Sequence, residues 1–415
     1  MVLETSLASA VVKNEQACSW RVGPVFLNKE GPGASDHSSC VQTKKIRRTM
    51  RQTGNQALAM LTAIVQCRIA TTAAFVARRN VAAFSLRAAH ASSYADFTPE
   101  QQSEHVQAAM YRVRQCNVVP DGVRQSLIPF VVDGIALGSV TMQTATLLCN
   151  ALSEHEEEKV FDLASKDDGP SLTLTPAAGA TSESRTQAVA KVTNALRGAD
   201  VVTGWRDELY PVSTSFYTTP TFLVERAAAP LLGCIEYGVH INGVVTDPST
   251  GVDKMWMARR SATKSKYPGM LDHIVAGGQP AGIGLLDNVV KECGEEAGIP
   301  EDMARENVMA AGAISYAYFE PNAGPGGALT RAVMFNYDLT LPVGYEPTPV
   351  DGEVDEFFTW TMEEVLESLA PDFDDPLKPN CYLVVVDFLL RRGWLSPEAD
   401  GYLDVLKELR GGTCA

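Results

Sequence analysis

Three glutamates in the last third of the chain have the type and spacing needed to bind a cation. Glu292, Glu295 and Glu296 occupy positions i, i+3 and i+4 of one segment, so their carboxylates share one face of a predicted helix. Like charges at this spacing destabilise an isolated helix by roughly 0.2–0.5 kcal/mol per pair, which a bound cation would offset. Carboxylate oxygens are the ligands that Mg²⁺ and Mn²⁺ prefer. The cluster therefore predicts a divalent-cation site, with a solvated acidic helix face as the alternative.

The segment around these glutamates, "GGQPAGIGLLDNVVKECGEEAGIP", resembles the Nudix box. That box opens with a Gly, continues through a Glu, an Arg-Glu pair and a Glu-Glu pair, and closes on a Gly and an aliphatic residue. The positions in register are Gly277, Lys291, Glu292, Cys293, Glu295, Glu296, Gly298 and Ile299. Ile283 stands where the box has its first Glu, and Lys291 where it has Arg. Because those two box residues hold the loop against the helix in Nudix enzymes, the paired departure indicates that packing replaces an ion pair.

The resemblance spans residues 125–410 and is to Nudix proteins of the thiamine pyrophosphokinase-associated type, in which a poorly characterised domain precedes the hydrolase. The segments that carry it include "WRDELYPVSTSFYTTPTFLVERAAAPLLGCIEYGVHINGVV", "KMWMARRSATKSKYPGMLDHIVAGGQPAGI", "NVVKECGEEAGIP" and "KPNCYLVVVDFLLRRGWL". It implies an α+β protein: a Nudix α/β/α sandwich with a mixed sheet, preceded by a smaller α+β domain. It also implies a Mg²⁺-dependent hydrolase, with Mn²⁺ able to replace Mg²⁺, that cleaves a small-molecule diphosphate.

The substrate that the resemblance implies is thiamine diphosphate, preferentially in oxidised or otherwise damaged forms, which is cleaved to the monophosphate and phosphate. An 8-oxo-dGDP-type activity is the alternative, because both substrates carry a diphosphate and a flat heteroaromatic group. A catalytically silent ligand-binding Nudix module and an interaction protein built on the same fold are further alternatives. The intact glutamates favour an enzyme, since a silent module would be expected to lose at least one of them.

Catalysis also needs a general base, and the segment "DGEVDEFF" supplies Asp351, Glu353, Asp355 and Glu356. We expect the catalytic residues to be Glu295, Glu353, Glu356 and Lys291, with Glu292, Glu295 and Glu296 as metal ligands. The alternative for the later acids is that they are solvated loop residues.

Substrate contacts are predicted on both sides of this cluster. For the phosphates, Arg259, Arg260 and Lys264 lie on or just after a predicted strand, on which only one of the adjacent arginines can face the site. Gly277 and Gly278 are expected to lie against the substrate. For the ring, the aromatic candidates are Trp205, Tyr217 and Trp256, although large aromatics more often belong to a core. His240 and His273 are interpreted as structural hydrogen-bonding residues.

The domain ahead of the hydrolase is expected to shape substrate choice. Its last segment packs several aromatics with Arg206 and Arg226 just before the first hydrolase strand, so we hypothesise that it closes one wall of the pocket. Our predicted divisions are a basic extension at 1–95, the preceding domain at 96–232, the hydrolase at 233–380 and a helical segment at 381–415.

Local sequence patterns predict the helices, strands and turns of the chain. Helices are predicted for "TPEQQSEHVQAAMYRVRQC", Gln187–Ala199, "MEEVLESLA" and "NCYLVVVDFLLRRGWL". Asp133-Gly134 is predicted to turn one hairpin and "TDPSTGVD" a second, whereas the Ser-, Thr-, Gly- and Pro-rich stretch at 165–185 predicts a loop. "GAISYAYFE", "RAVMFNYDLTL" and "DEFFTWT" predict three later strands.

Charge is distributed unevenly along the 415 residues. Positions 1–95 hold 12 of the 35 Lys/Arg and 4 of the 50 Asp/Glu, which leaves 23 basic and 46 acidic residues after them. That acidic body should repel nucleic acid, so no nucleic-acid partner is expected. The apolar stretches between the early arginines are too short to span a membrane. The nine scattered cysteines lack metal-binding spacing and indicate reduced thiols.

The acid-free, arginine-bearing stretch between Asp36 and Asp96 resembles an organelle presequence for a mitochondrion or a plastid. Its position is unusual, because residues 1–43 are neither so basic nor acid-free, and Met50 could be the true start. A disordered basic tail, with a cytoplasmic location, is the alternative.

A cleaved leader makes a specific prediction about the mature N-terminus. We expect the native protein to begin within residues 85–100, because the composition becomes globular there. N-terminal sequencing of protein isolated from its source measures this directly. A mature chain that still carries residues 1–49 would contradict cleavage.

Overall fold

The computed structural model describes residues 94–152, 159–166, 169–264 and 266–412. The predicted leader and Met50 lie outside these residues, apart from the last two positions of the extension at 1–95. Within the described ranges, none of the helices combines the length and the apolar character needed to cross a bilayer.

The first α-helix, α1, spans Pro99–Cys116 as predicted. The Thr98 side chain caps it by accepting from the Gln101 amide, and the Gln101 side-chain oxygen accepts from the Thr98 amide. Pro99 occupies the first helical position. Its buried face, which includes Val106 and Val113, joins the core of the C-terminal half of the chain. The helix therefore packs with elements distant in sequence.

A four-stranded sheet follows, in the order β2-β1-β4-β3. Its strands are β1 Ile128–Val132, β2 Ile135–Val140, β3 Phe161–Lys166 and β4 Gly169–Leu174. Positive φ angles at Asp133 (51°) and Gly134 (81°) make the two-residue turn between antiparallel β1 and β2. The hairpin predicted at this dipeptide is confirmed.

The loop predicted at 165–185 is wrong. β4 lies inside it and pairs with both β1 and β3, and Leu172 of β4 is fully buried. The Ser and Thr residues that suggested a loop alternate with the buried position along the strand. The following helix begins five residues before Gln187, because the Thr181 side chain caps it at Ser182.

The remaining elements before residue 233 complete this sheet's core and add a second, small hairpin. The helices are α2 Asp121–Ser126, α3 Met142–Asn150 and α4 Ser182–Gly198, with a 3₁₀ segment at Arg226–Leu232. Strands β5 Leu209–Val212 and β6 Phe222–Glu225 pair antiparallel. This hairpin leads directly into the larger sheet.

The larger sheet has the strand order β11-β12-β7-β8-β13, and β10 pairs with β7 while β9 pairs with β8. Its strands are β7 Ile235–Thr246, β8 Asp253–Arg260, β9 Leu271–His273, β10 Val275–Gly278, β11 Val308–Glu320, β12 Ala328–Thr340 and β13 Val354–Thr361. β7 and β12 run parallel, while β7 and β8 run antiparallel. The predicted hairpin at "TDPSTGVD", the three later strands and the mixed sheet are confirmed.

Helices cover both faces of this sheet. They are α5 Leu285–Ala297, α6 Glu301–Asn307, α7 Met362–Glu367, α8 Pro379–Arg392 and α9 Tyr402–Glu408. Val239 and Ile241 of β7 pack with α5, whereas Val244 belongs to the core that contains α8. Alternate side chains of one strand thus point to opposite helical layers, and the predicted α+β class is confirmed. The predicted domain limits at 96–232, 233–380 and 381–415 stay predictions.

Buried Arg112 of α1 makes a prediction about stability. Its guanidinium donates to the carbonyls of Ser368, Leu369 and Ala370 and lies 4.3 Å from the centroid of the Tyr382 ring. Arg112→Met removes three hydrogen bonds from a buried guanidinium and leaves the Leu369 carbonyl without that donor, whereas the Ser368 and Ala370 carbonyls still accept from the Tyr382 hydroxyl and the Phe373 amide. We expect a loss of roughly 2–4 kcal/mol in the free energy of unfolding, measured in urea.

The matched control is Arg114→Met, because Arg114 is exposed and pairs with Glu408 at the surface. Its expected cost is about 0–1 kcal/mol. Equal costs for the two variants would contradict a structural role for the Arg112 contacts.

Candidate metal-binding and catalytic site

Helix α5 presents the candidate carboxylates. Its apolar face, with Val289 and Cys293 fully buried, packs on β7, and Gly298 ends it in the left-handed conformation (φ 62°). This is the termination predicted from the sequence. Glu292 and Glu296 lie at the edge of the buried face, whereas the side chain of Glu295 is 56% exposed.

Glu292 packs against a glycine of β10. A Cβ atom added to Gly277 would lie 2.3 Å from Cδ and 2.5 Å from Oε1 of Glu292. Burial raises the pKa of Glu292, and the hydrogen bond from Lys291 offsets this only in part. The contact therefore requires glycine at 277 and holds a carboxylate in a costly environment.

Glu296 is held one residue earlier on the same strand. Its Oε2 accepts a hydrogen bond from the Ala276 amide at 3.1 Å. Burial nevertheless raises the pKa of Glu296 well above its usual range, and the nearby charges of Glu292, Asp272 and Glu353 raise it further. Two buried carboxylates thus converge on the backbone of Ala276 and Gly277.

Lys291 neutralises part of this charge. Its Nζ lies 2.8 Å from Glu292 Oε1 and 3.0 Å from Glu295 Oε2. Burial lowers the pKa of Lys291, but its bonds to the two carboxylates outweigh that effect and the net change is upward. In the Lys291–Glu292 ion pair the pKa of Glu292 is also raised, because Glu292 is more deeply buried than Lys291 and burial outweighs the ion pair.

The loop between β10 and α5 is held by amide side chains. Asn288 donates to the Gly278 carbonyl at 2.7 Å and to the Gln279 side chain at 3.1 Å. Gln279 in turn donates to the carbonyl of Ile283 at 2.8 Å. We expected packing to replace the missing ion pair of the box, whereas this buried hydrogen-bonded pair of amides joins loop to helix. Neither amide was among the candidate residues.

The structure separates the two candidate bases. Glu353 forms ion pairs with Lys264 at 2.5 Å and Arg206 at 3.4 Å. Burial raises the pKa of Glu353, but the Lys264 contact outweighs this and the net shift is downward. Glu353 also lies close enough to Glu296 to raise the pKa of that residue. By contrast, Glu356 is exposed and pairs with Arg259 at 3.1 Å.

The other two loop acids occupy different positions. The Asp351 side chain accepts from the Glu353 amide at 2.8 Å and so shapes the loop. Asp355 is exposed at the start of β13.

The two candidate phosphate-binding arginines are engaged elsewhere. Arg259 makes a bidentate contact with Asp375, at 2.7 and 3.0 Å, in addition to its bond with Glu356. Arg260 lies 2.7 Å from buried Asp272. These contacts join strands and loops of the fold, so the structure does not bring either arginine to the α5 carboxylates.

The aromatic candidates also lie apart from the carboxylates. Trp256 belongs to the core beneath α5. Trp205 stacks under Arg197 at 4.5 Å, donates to the Val202 carbonyl and lines a different cavity. Tyr217 is 86% exposed. Sequence spacing cannot reveal which face of an element an aromatic occupies.

Two further residues from before residue 233 lie at the site. A Cβ atom added to Gly278 would lie 1.6 Å from the Tyr210 hydroxyl and 3.2 Å from Cζ of Arg226. Arg226 is bonded to Glu208 at 2.9 Å. Arg206 and Arg226 lie in the segment predicted from the sequence to close the pocket. Tyr210 was not predicted, because only the folding of the β5–β6 hairpin brings this residue over β10.

A buried cluster lies beneath the same strands. The rings of His240 and His273 are 5.1 Å apart, and one ligand atom from each lies within 4.8 Å of the other and of Cys381 Sγ. His240 Nδ1 and His273 Nε2 have no hydrogen-bond partner among the described residues. These two side-chain nitrogens therefore do not form the expected structural hydrogen bonds with any described residue.

Comparisons with known proteins cover both halves of the chain. A family described as "Domain of unknown function (DUF4743)" matches residues 108–236. Nudix hydrolase 24, chloroplastic, of Arabidopsis thaliana is 43% identical over 233 residues, covering 56% of this chain and 61% of that protein. Nudix hydrolase 20, chloroplastic, of the same plant is 44% identical over 233 residues, covering 56% and 60%. The chain thus spans 60–61% of the length of these curated relatives.

Among solved structures, the MutT protein from Methanosarcina mazei Go1 matches with 18% identity and a TM-score of 0.29, covering 40% of this chain and 96% of that one. Fold and site together define an α+β protein with a helix-borne carboxylate cluster beside a glycine-containing strand. The two Arabidopsis proteins to which this chain is similar over 233 residues are both named Nudix hydrolases.

Close packing at Gly278 makes a prediction. Gly278→Ala forces Tyr210 away from β10, so we expect a loss of roughly 1–3 kcal/mol in the free energy of unfolding, measured in urea. The loss should be smaller in a Tyr210→Phe background, because the clashing hydroxyl is absent.

Gly122→Ala serves as the control, since a Cβ atom there meets nothing within 4 Å. Strict additivity of Gly278→Ala and Tyr210→Phe would argue against the contact.

Proposed function

We propose that this chain hydrolyses a diphosphate linkage with Mg²⁺ held by Glu292, Glu295 and Glu296. The observation that carries the proposal is the convergence of buried Glu292 and Glu296 on the backbone of β10. Burying charged carboxylates is costly unless a cation accompanies them. Among the described residues, Lys291 is the cation bonded to this set, and it contacts Glu292 and Glu295.

The residues fit a divalent cation in charge and chemistry. Three carboxylates against one ammonium leave two negative charges when all are ionised, which a divalent ion would balance. Their hard oxygen donors suit Mg²⁺, with Mn²⁺ as an acceptable replacement. Bound there, the ion would neutralise diphosphate oxygens and orient an attacking water.

The protein's own groups supply the remaining roles. Glu353 is proposed as the general base, because its charge acts on Glu296 and it is the less exposed of the two candidate acids. Lys264 and Arg206 lower the pKa of Glu353 and so weaken it as a base while they hold it, and a substrate phosphate that drew these cations away would restore its basicity. Glu356 is less suited, since Arg259 holds it at the surface. Lys291 fixes the orientation of Glu292 and Glu295. Arg226, whose guanidinium lies beside Gly278, and Lys264, which is bonded to Glu353, are proposed to receive phosphate oxygens. Each would then exchange part of its contact with an acid, Glu208 or Glu353, for the phosphate.

Thiamine diphosphate or its oxidised derivatives are the proposed substrates, converted to the monophosphate and phosphate. Support comes from the sequence resemblance over residues 125–410 and from a cavity beside Gly277 and Gly278 that can take an organic group. An 8-oxo-dGDP-type hydrolase is the alternative enzyme, and a silent ligand-binding module is the alternative outside catalysis. A plastid location is favoured over a mitochondrial one, because the names of both Arabidopsis relatives include the word chloroplastic.

The test is phosphate release with Mg²⁺ from oxothiamine diphosphate, thiamine diphosphate, 8-oxo-dGDP, ADP-ribose and NADH. We expect turnover of the thiamine compounds, and a loss of about a thousandfold or more in kcat for Glu296→Gln. The amide oxygen of Gln can still accept from Ala276, so the variant should remain folded.

Asp287→Asn is the matched control, because Asp287 lies on the same helix but pairs with Arg305 at the surface. It should keep parental activity. Unchanged turnover in folded Glu296→Gln would reject the metal assignment, and absence of turnover on every substrate would favour a silent module.

A further inference from the structure

A cavity of about 180 Å³ lies next to the carboxylate site. Ala276, Gly277 and Gly278 of β10 line it, and Ala276 and Gly277 are also the residues that Glu296 and Glu292 contact. About six water molecules occupy this volume in liquid water, so the cavity has room for one substituted heteroaromatic ring.

Both halves of the chain contribute to the cavity. Tyr210 and Arg226 of the preceding domain line it on one side. Tyr316 and Tyr318 of β11 line it on another, with their rings nearly parallel (20°) and their centroids 6.1 Å apart. Aromatic walls of this kind favour a flat, unsaturated ligand.

Glu236 of β7 also lines this cavity. The residue as a whole is only partly buried, but its Oε1 is sealed from solvent and has no hydrogen-bond partner among the described residues. Burial raises the pKa of Glu236 to about 7, although Arg226 and Lys266 act to lower it. A buried acceptor without a partner is unfavourable unless something else supplies a donor.

The cations around the cavity are already paired with other acids. Arg226 is bonded to Glu208 at 2.9 Å, and Lys266 to Glu320 at 3.0 Å. Lys378 lies 3.4 Å from Asp272. Glu236 is therefore the charged group of the cavity that retains open hydrogen-bonding capacity in the described part of the chain.

We propose that Glu236 binds the edge of a heteroaromatic ring on which a ring nitrogen lies next to an exocyclic amine. This inference rests on the proposed function, since the diphosphate of the same molecule would extend past Gly277 and Gly278 to the α5 carboxylates. A protonated carboxyl donates to the ring nitrogen while its other oxygen accepts from the amine. Glu236 would thereby select aminopyrimidine-type rings.

Binding in EDTA tests this without turnover. Calorimetric titration of the full chain with thiamine monophosphate, which carries such an edge, should show at least about tenfold weaker binding for Glu236→Leu. Glu236→Gln should stay within about threefold of the parent, because an amide also offers one donor and one acceptor. Glu320→Leu, which removes the acid paired with the lining residue Lys266, should also stay within about threefold.

Several results would overturn the proposal. Parental affinity in folded Glu236→Leu, or an equal loss in Glu320→Leu, would show that Glu236 makes no specific contact. Binding of 8-oxo-dGMP in preference to thiamine monophosphate, with loss in Glu236→Gln, would assign a ring edge with two donors instead. Failure of the proposed function is recognised separately, as absence of phosphate release with intact ring binding.

Discussion

The absence of side chains at Gly277 and Gly278 is the constraint on which the site depends. Consecutive residues of a strand point to opposite faces, so this dipeptide opens both sides of β10 at once. Glu292 occupies the space beside Gly277, and the Tyr210 hydroxyl occupies the space beside Gly278. One short strand thereby brings together the carboxylate helix and the preceding domain.

This arrangement explains why the carboxylates are buried. Helix α5 must lie close to β10 for Glu296 to reach the Ala276 amide, and the same approach removes water from Glu292. The resulting rise in the pKa of both acids reflects a free-energy cost to the folded protein. Lys291 reduces this cost for Glu292 through an ion pair, but among the described residues it makes no bond to Glu296. A site with this imbalance is better suited to hold a cation than to stabilise the fold.

Several ion pairs and hydrogen bonds around the larger sheet serve the fold. Arg259 and Arg260 bind Asp375 and Asp272, and Arg112 satisfies carbonyls that follow α7. At the candidate site, Lys291 bonds Glu292 and Glu295, while Arg206 and Lys264 pair with Glu353 and Arg226 lies beside Gly278. Residues from both sides of the predicted limit at 232/233 therefore meet at the candidate site.

The sequence by itself determined the elements whose signals are local. Capping residues and periodicity predicted α1, the Asp133-Gly134 turn fixed one hairpin, and the spacing of Glu292, Glu295 and Glu296 placed three acids on one helix. The Ser- and Thr-rich composition around β4 predicted a loop, but the segment is a strand because it pairs with a neighbouring strand on each side. Only the tertiary structure decided which residues meet across the chain: Glu353 with Lys264 and Arg206, Glu356 with Arg259, and Tyr210 rather than Trp205 with β10. It also decided that Glu236 Oε1 has no hydrogen-bond partner among the described residues. Such encounters depend on strand order and on the face each residue presents, and neither quantity is encoded in residue spacing along the chain.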